Sequence, residues 1–579
     1  MAGTPPKLPH IVPFAVLLLT AAVYAPVLGF GFVSDDVGQI VQSQSRYTWS
    51  AVPGYFGSDV WNFIIPGKTD YYRPVFLLWM MLNSKLFGLN TELLHAAALG
   101  LHLAATLLLY FLALRLTGNA LVSGAAALLF GIHPAHIEVA AWLSGVTESL
   151  FGVLALGAIL CQLRGRRAGA LLLFAFAIFT KETAVVLPLL LAACDWLLPE
   201  DSAATRSQRL RKAVSTLAWC LGIGLIYMAA RLHALGAFAP ITRGWTPQMI
   251  ASTIPSLLVF YLRQLLAPFE YSMFYPIYAV THFSLRRTAE PLMLLAMAAV
   301  VLLLIGRRSK SLAFAALLFV VPIAPTLNLS AFLFDNFAHD RYVYLPSAGL
   351  CLLMAILAAG WMQSSHVLHK DVLHPAVFGG VFVAAAVWLA YVNLQNSSVW
   401  TDDLSLFTHA VEVAPDNIMA REYLANALLR QQRYTDALPL FQEALLRGQP
   451  TDEATNQLLY VPIAICYIGL GQSDQAEGFL YRAISLDPAA HVPHFYLALI
   501  EESRGRWSEA EAHAREALRL RPAATPELSA YHGELGRILE NEGNPQAALA
   551  EYRAQVREDP ASAEARKHLE EIEQRAPVP

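Results

Sequence analysis

Charged residues are scarce in this chain of 579 residues: Asp, Glu, Lys and Arg together make up 15%, whereas hydrophobic residues make up 56%. In an average soluble protein about a quarter of the residues are charged, so a single soluble enzyme is excluded. Cysteine is equally scarce, and no Cys-x-x-Cys pair or Cys/His cluster occurs, which argues against a structural zinc site or a disulfide framework. The five cysteines are Cys161, Cys194, Cys220, Cys351 and Cys466.

The few charges are unevenly distributed. Residues 1–399 hold 24 Lys/Arg and 16 Asp/Glu, a formal charge of +8, whereas residues 400–579 hold 16 Lys/Arg and 28 Asp/Glu, a formal charge of −12. We therefore predict an all-α chain with a membrane domain over 1–398 and a soluble domain over 399–579. The acidic second part excludes a nucleic-acid binder built on a basic domain.

Apolar runs that approach or cross a hydrocarbon core of about 30 Å recur through the first part. They predict about eleven membrane-crossing helices, near 11–30, 93–114, 119–132, 145–163, 168–182, 183–198, 213–230, 289–305, 311–327, 343–362 and 376–394. Basic residues cluster in alternate turns, which by the positive-inside rule places the N-terminus in the cytoplasm and the C-terminal domain outside. The run at 249–268 contains Arg263 and precedes Pro268, and we interpret it as an outside-surface or re-entrant segment.

The second part contains an internal repeat with a period of 34 to 39 residues. This period and the recurring small residues predict about four tetratricopeptide helix pairs that form a superhelix, with residues 400–417 as a leading helix. The groove of such a superhelix favours a protein or peptide acceptor as ligand, and a scaffold or dimerisation surface is the alternative. The repeated positions are Ala437/Ala444, Ala476/Ala483, Ala510/Ala517 and Ala547/Ala554, followed by Pro450, Pro488, Pro522 and Pro560.

Charged residues beside the apolar runs need an explanation, because charge at membrane depth is costly. Asp35 and Asp36 directly follow the first predicted span. Adjacent carboxylates raise each other's pKa and suit a general base or a cation site, whereas a helix N-cap is the structural alternative. Arg73 opens another apolar helix, where it could bind a phosphate or serve as an interfacial anchor.

Two further polar clusters precede or interrupt apolar runs. His133, His136 and Glu138 lie within six residues of one short loop, and could hydrogen-bond a phosphate or sugar, cap a helix or bind a metal. Lys181 and Glu182 interrupt an apolar stretch. Either the two residues pair at the outer membrane edge, or Lys181 meets a lipid phosphate.

The predicted topology brings all of these charges to the same outer face of the membrane. Arg231 ends the seventh predicted span and Arg341 begins the tenth, so both also reach that face. Acidic groups for chemistry and several cations for a phosphate leaving group would then meet in one place. This convergence, rather than any single residue, predicts a site.

The series FVSDDVGQI, YYRPVFLLWMMLNSKLFGLN, FGIHPAHIEVAAWLSG, TKETAVVLPLLLAACDWL and HDRYVYLPS, followed by the repeats, resembles the transmembrane and tetratricopeptide repeat-containing O-mannosyltransferases and their bacterial relatives. The resemblance implies the GT-C glycosyltransferase fold, which takes sugars from polyprenyl-phosphate carriers on the non-cytoplasmic face. It also implies that one member of the acidic pair in the first outer loop activates the acceptor. The chain departs from the animal family in having Val146–Thr147 after WLSG, where a basic residue is common, and in having fewer repeats.

The resemblance further implies the role of each candidate residue. Asp35 would act as general base in an inverting displacement, and Asp36 and Glu138 would orient the acceptor, a Ser or Thr hydroxyl of a protein. The leaving polyprenyl phosphate would be neutralised by Arg73, His133, His136, Lys181, Arg231 and Arg341. We predict no cofactor and no obligatory metal, since a lipid-phosphate donor carries no nucleotide diphosphate, although the acidic pair could bind a divalent ion. The transferred sugar is predicted to be a mannose-like hexose. The protein is predicted to lie in a bacterial inner membrane, in contact with membrane lipids, with its repeats in the periplasm.

Two other functions compete with this prediction. A Wzy-like ligase or oligosaccharyltransferase would move a preassembled glycan from a lipid diphosphate, and would centre on a large later outer loop rich in Arg and His. A membrane-anchored repeat scaffold would need only one or two spans. The acidic pair in the first loop and the many spans favour the mannosyltransferase-like function.

Overall fold

The computed structural model describes residues 11–61, 71–200, 203–236, 244–367, 373–447, 453–521, 529–560 and 563–575. The chain divides into two compact units, Met1–Ala414 and Pro415–Pro579. Across the described ranges the regular structure is helical, and β-pairing is limited to one isolated bridge between Leu333 and Asn336. The predicted all-α fold, with apolar helices followed by helical repeats, is confirmed.

The first unit consists mostly of apolar α-helices joined by short turns. Its helices are α1 Ile11–Tyr24, α2 Val52–Tyr55, α3 Pro74–Phe87, α4 Thr91–Thr117, α5 Ala120–Gly131, α6 Ile137–Ala141, α7 Thr147–Leu163, α8 Arg167–Thr180, α9 Leu187–Leu197, α10 Arg206–Leu235, α11 Pro247–Leu266, α12 Glu290–Gly306, α13 Lys310–Val320, α14 Tyr344–Val367, α15 Leu373–Ser397 and α16 Asp403–Val413.

Helix-capping residues explain where these helices begin and end. Asn119 caps α5 by accepting hydrogen bonds from the N–H groups of Leu121 and Val122, as expected of an N-cap asparagine. Gly118 ends α4 at φ +65°, a left-handed conformation that glycine adopts without steric cost. The tight Gly118–Asn119 turn therefore makes α4 and α5 antiparallel neighbours.

Eight helical segments within the described ranges are long and apolar enough to cross a membrane, or nine if the bent pair Ala120–Gly131 and Pro134–Ala141 forms one span. The predicted count of about eleven is not confirmed. The predicted spans at 168–182 and 183–198 correspond to α8, of 14 residues, and α9, of 11 residues. At 1.5 Å per residue each is shorter than the hydrocarbon core of about 30 Å.

Helix α11 differs from its prediction. The run at 249–268 forms part of one continuous helix of 20 residues, Pro247–Leu266, whose length and apolarity suit a membrane crossing. An internal proline, Pro255, lies in this helix without ending it. The interpretation as an outside-surface or re-entrant segment is therefore not supported by the helix that forms.

The core of the first unit lies where α4, α5, α7, α8, α9, α13 and α14 meet, around Phe130, Phe151, Phe174 and Tyr344, all at most 3% exposed. Helices α13 and α14 approach closely at Gly349, where an added Cβ would lie 2.2 Å from the backbone nitrogen of Phe319. This packing leaves the charged residues at the ends of the helices and in the turns between them.

The second unit consists of consecutive antiparallel helix pairs. Its helices are α17 Ile418–Arg430, α18 Tyr434–Arg447, α19 Glu453–Gly469, α20 Ser473–Leu486, α21 His491–Ser503, α22 Trp507–Leu520, α23 Ala530–Asn541, α24 Pro545–Glu558 and α25 Ala563–Arg575. Pro488 and Pro560 lie in the turns after α20 and α24, whereas the predicted Pro450 and Pro522 lie outside the described residues.

The predicted alanine pairs explain how these helices pack. The first three pairs are at most 1% exposed, so their small side chains allow close helix contact. In the fourth repeat Ala547 and Ala554 are only partly buried, and Ala548 and Tyr552 occupy the buried positions instead. The repeat pattern therefore shifts by one residue in α24.

Candidate active site

The loop that follows α1 carries the adjacent aspartates. The chain leaves α1 through a 3₁₀ turn, Ala25–Gly29, and reaches Ser34, which has a φ of +53°. A hydroxyl-bearing residue in this left-handed region is uncommon. The residues on both sides of Asp35 are held by hydrogen bonds from other segments, so the position of Asp35 in the fold is well defined.

Asp36 is fully buried and tied to its surroundings. Its Oδ1 accepts hydrogen bonds from both the N–H and the Oγ–H of Ser144, each at 2.7 Å, and its Oδ2 accepts one from the Val33 N–H at 3.2 Å. Burial raises the pKa of Asp36 to about 7, and these hydrogen bonds oppose that rise. With three donors on its carboxylate, Asp36 connects the first loop to the 3₁₀ turn Leu143–Val146.

Asp35 differs from its neighbour in the surroundings of its carboxylate. It is partly buried, and within the described ranges no residue forms a hydrogen bond or an ion pair with its side chain. Burial raises the pKa of Asp35 to about 6, the charge of Arg341 lowers it and that of Asp403 raises it. A carboxylate with a pKa near neutrality and no bound proton donor can accept a proton.

Glu138 and Arg341 form a two-point ion pair 203 residues apart in the chain. One carboxylate oxygen of Glu138 pairs with the Arg341 guanidinium, and the other accepts the Arg341 backbone N–H at 2.9 Å. Glu138 lies on α6, directly after the break at Pro134, and is 2% exposed. The Glu138 carboxylate therefore binds Arg341. The Arg341 guanidinium in turn lies close enough to Asp35 to lower the pKa of the Asp35 carboxyl group.

Lys181 and Glu182 do not pair with each other. Lys181 pairs with Glu148 of α7, and both side chains are at most 7% exposed. Glu182 instead accepts two hydrogen bonds from Arg73, at 3.0 Å from Nε and 2.5 Å from a terminal nitrogen. The two side chains diverge because Lys181 has extended backbone angles, φ −156° and ψ 133°, and the 3₁₀ turn Glu182–Val186 begins directly after it.

Among the candidate cations, Arg231 on α10 has a guanidinium nitrogen that donates no hydrogen bond to the described residues. Its terminal nitrogen Nη1 is buried and has no hydrogen-bond partner within the described part of the chain. Tyr227, one turn earlier, packs against the rings of Tyr72 at 5.8 Å and Phe179 at 5.3 Å. An arginine donor that is buried and unpaired is costly, so this position suits an anion that arrives with a ligand.

Tyr342 joins the charged residues into one cluster. The Lys181 Nζ lies 5.3 Å from the centre of its ring and the Arg341 guanidinium carbon lies 5.0 Å from it. Both are cation–π distances. Lys181 and Arg341 therefore meet at Tyr342, while Asp35 lies within electrostatic range of Arg341 and Arg73 within electrostatic range of Lys181.

His133 and His136 do not join this cluster. Both ring nitrogens of His133 contact backbone groups, the Leu265 carbonyl and the Ala135 N–H, each at 3.2 Å. His136 is 0% exposed, contacts the Ser347 hydroxyl at 2.8 Å and packs against aromatic rings. Both histidines lie in the break between α5 and α6, and the Nδ1 of His136 has no hydrogen-bond partner among the described residues.

Four residues of the cluster were missed in the sequence: Ser144, Glu148, Tyr227 and Asp403. Glu148 lies four residues after Ser144, at the start of an apolar run, so the rule that a charge at membrane depth needs a partner could have found it. Tyr227 and Ser144 carry no such signal. No group of three or more His, Cys, Asp or Glu side chains in the described ranges could hold a metal ion.

Comparison with known proteins supports the resemblance. A tetratricopeptide repeat family model matches residues 404–453 and 497–563. Protein O-mannosyl-transferase F38B6.6 of Caenorhabditis elegans is 26% identical over 71% of this chain and 59% of its own length. Protein O-mannosyl-transferase TMTC3 of Mus musculus is 24% identical over 88% of this chain and 60% of its own length.

A shorter stretch is more similar: the Drosophila melanogaster protein O-mannosyl-transferase Tmtc1 is 30% identical over 31% of this chain and 22% of its own length. The predicted resemblance to the transmembrane and tetratricopeptide repeat O-mannosyltransferases is confirmed by these relatives. The chain spans about three fifths of the length of the first two.

Proposed function

We propose that this chain is an integral membrane glycosyltransferase that moves a mannose-like hexose from a polyprenyl-phosphate donor to a Ser or Thr hydroxyl of a protein. The names of its relatives and its many apolar helices support a membrane O-mannosyltransferase. The donor, the acceptor and the inverting course of the reaction are inferred from the chemistry of the site. The observation that carries the proposal is the unengaged Asp35 carboxylate at the edge of a cluster of cations.

The reaction is a single displacement at the anomeric carbon. Asp35 accepts the proton of the acceptor hydroxyl while that oxygen forms a bond to the anomeric carbon. The bond from this carbon to the phosphate oxygen breaks at the same time, and the electron pair leaves with the polyprenyl phosphate. One displacement inverts the anomeric configuration, and Asp35 supplies general base catalysis worth about 10²- to 10⁴-fold.

The departing phosphate requires positive charge that is not already neutralised. Lys181 and Arg341 are held in buried pairs with Glu148 and Glu138, so they support the cluster rather than contact the donor. Arg231 lies beside the Tyr227 hydroxyl, and its buried Nη1 has no hydrogen-bond partner among the described residues. Arg73 is likewise paired, with Glu182, so we assign the donor phosphate to Arg231, whose planar guanidinium group suits phosphate oxygens.

Asp36 and Glu138 act as positioning residues in this proposal. Asp36 fixes the loop that carries the base, and Glu138 fixes Arg341 beside it. The Gly31 N–H donates to the Thr401 carbonyl at 2.9 Å, so the segment after α15 reaches the same end of the helices as the first loop. We propose that this end of the helices is the non-cytoplasmic face and that the repeats bind the acceptor. We also propose that the protein lies in a bacterial inner membrane with its repeat domain in the periplasm.

A reconstituted transfer assay tests the proposal. The detergent-purified full chain is incubated with a Ser/Thr-rich peptide and either polyprenyl-phosphate mannose or GDP-mannose, with and without EDTA, and the peptide mass is measured. We expect a hexose to be added from the lipid-linked donor only, and EDTA to have no effect. Transfer from the nucleotide sugar, or transfer of an oligosaccharide from a lipid diphosphate, would contradict the proposed donor.

Replacing Arg231 tests the assignment of the phosphate. Arg231→Gln removes a charge-assisted hydrogen bond worth about 1.5–3 kcal/mol, so the KM for the lipid-linked donor should rise about 10- to 100-fold and Arg231→Lys should recover part of the loss. Arg211→Gln is the matched control, because Arg211 lies exposed at the other end of the same helix. An unchanged donor KM in Arg231→Gln would remove Arg231 from the phosphate site.

A further inference from the structure

The segment that follows the last apolar helix reaches back to the loop that carries Asp35. The Ser34 N–H donates a hydrogen bond to Oδ1 of Asp403 at 2.6 Å. Three residues earlier in the loop, an added Cβ on Gly31 would lie 3.3 Å from the Thr401 carbonyl oxygen. Trp400, which is 1% exposed, anchors this segment in the first unit.

The hydrogen bond to Asp403 is formed by Ser34, a residue with strained backbone angles. Within the described residues only Ser34 and Gln432 are non-glycine residues with positive φ. Such strained residues persist only when their surroundings hold them, and they occur preferentially at functional sites. Ser34 directly precedes Asp35, so its backbone angles decide the direction in which the Asp35 side chain points.

The loop is held on both sides of Asp35. On one side Asp403 accepts the Ser34 N–H, and on the other Asp36 accepts hydrogen bonds from Ser144 and Val33. The Asp35 carboxylate, between these two fixed points, forms no such bond with any residue that the structure describes. Fixed neighbours around an unengaged carboxylate are typical of a preorganised catalytic group.

We propose that Asp403 is a positioning residue for the candidate base: by accepting the Ser34 N–H it maintains the left-handed turn that directs Asp35 toward the acceptor hydroxyl. This inference rests on the proposed function, since it assigns the base to Asp35. It adds a residue from the far end of the first unit, 369 positions along the chain from Ser34.

Asp403 also lies at the point where the repeat match begins. It is the first residue of α16, and the tetratricopeptide family model starts at the next residue, 404. Helix α16 is fixed within the first unit, where its His409 Nε2 lies 3.2 Å from the Tyr271 carbonyl oxygen. A helix that opens the repeat region therefore carries the residue that sets the direction of the base.

The adjacent Asp402 provides a matched control. Its side chain accepts the Ser405 N–H at 2.8 Å and so caps α16. Removing either aspartate therefore alters the start of the same helix, whereas only Asp403 contacts the catalytic loop through Ser34. A difference between the two variants isolates the loop contact from the stability of the helix.

The test compares Asp403→Ala, Asp403→Asn and Asp402→Ala in the full chain with polyprenyl-phosphate mannose and an acceptor peptide. We expect Asp403→Ala to lower kcat about 10- to 100-fold, the loss associated with small misplacements of reacting groups, with an unchanged donor KM. Asp402→Ala should keep kcat within about twofold. Equal losses in the two alanine variants, or full activity of Asp403→Ala, would overturn the proposal.

Asp403→Asn separates the hydrogen bond from the charge. The amide oxygen can still accept the Ser34 N–H, so this variant should recover most of kcat. Arg341, Asp36 and Asp403 are the charged groups that act on Asp35. Loss of the Asp403 charge lowers the pKa of Asp35, so the acid limb of kcat/KM should move to lower pH; no movement together with a low kcat would contradict the role.

Hydrogen–deuterium exchange distinguishes failure of this inference from failure of the proposed function. Because the exchange of the peptide that contains Ser34 does not depend on catalysis, it can be measured even if the chain transfers no sugar. We expect faster exchange in Asp403→Ala than in Asp402→Ala. Equal exchange in the two variants would show that Asp403 does not hold the loop, whatever the reaction proves to be.

Discussion

Asp35→Asn should reduce sugar transfer by about 10³-fold or more while leaving the fold intact. The loss follows from the proposed role, because an amide cannot accept the proton of the acceptor hydroxyl, and general base catalysis contributes about 10²- to 10⁴-fold. Since no described residue bonds to the Asp35 carboxylate and burial disfavours its charged form, the substitution should not lower the free energy of unfolding. The measurement is the initial rate of hexose transfer from polyprenyl-phosphate mannose.

Asp36→Asn is the matched control for this variant. Asp36 accepts hydrogen bonds from both Ser144 and Val33, and an Asn side chain would place an N–H donor against one of these donors. We expect lower thermal stability and a partial loss of activity, the reverse of the Asp35→Asn result. If Asp36→Asn were inactive and stable while Asp35→Asn remained active, the base would be Asp36.

The pH dependence follows from the same pair. A general base works when deprotonated, and burial raises the pKa of Asp35 to about 6. The value of kcat/KM should therefore be maximal above about pH 6 and fall by about tenfold per unit below it. Asp35→Glu, which keeps a carboxylate, should retain an acid limb, whereas the residual rate of Asp35→Asn should not show it.

The fold could be predicted because its signals are local in the sequence. The length of an apolar run identifies a membrane helix, and the alanines of one repeat identify a helix contact without knowledge of the next. The failures also have local causes. Helix α9 is short because a 3₁₀ turn, Glu182–Val186, occupies the start of its apolar run, and hydropathy alone does not show such a break.

The candidate site could be predicted only as a set of residues. Topology indicated that charges would meet on one face, but the partners lie far apart in sequence: Arg73 and Glu182 are separated by 109 positions and Glu138 and Arg341 by 203. Composition and spacing do not show which carboxylate pairs with which cationic side chain. For the same reason Asp35 and Asp36, adjacent and identical in type, could not be separated into an unengaged carboxylate and a structural one.

Lys181→Met should destabilise the protein by about 3 kcal/mol, because it leaves the Glu148 carboxylate buried without its partner. Breaking one side of a buried ion pair costs about 3–5 kcal/mol. The lower end is expected here, since Arg73 and Arg341 also lie within electrostatic range of Glu148. The denaturation midpoint of the detergent-solubilised chain measures the loss. Arg433→Met, which breaks an exposed pair with Asp436, should cost less than about 1 kcal/mol.

The double variant Lys181→Met/Glu148→Gln separates a structural role from donor binding. Replacing both partners removes a pair with no net charge, so the free energy of unfolding should return to near that of the unaltered chain. If the pair only supports the cluster, transfer activity should recover with it, to within about tenfold. A double variant that is stable but inactive would mean that Lys181 contacts the donor phosphate directly, and the phosphate site would then extend from Arg231 to Lys181.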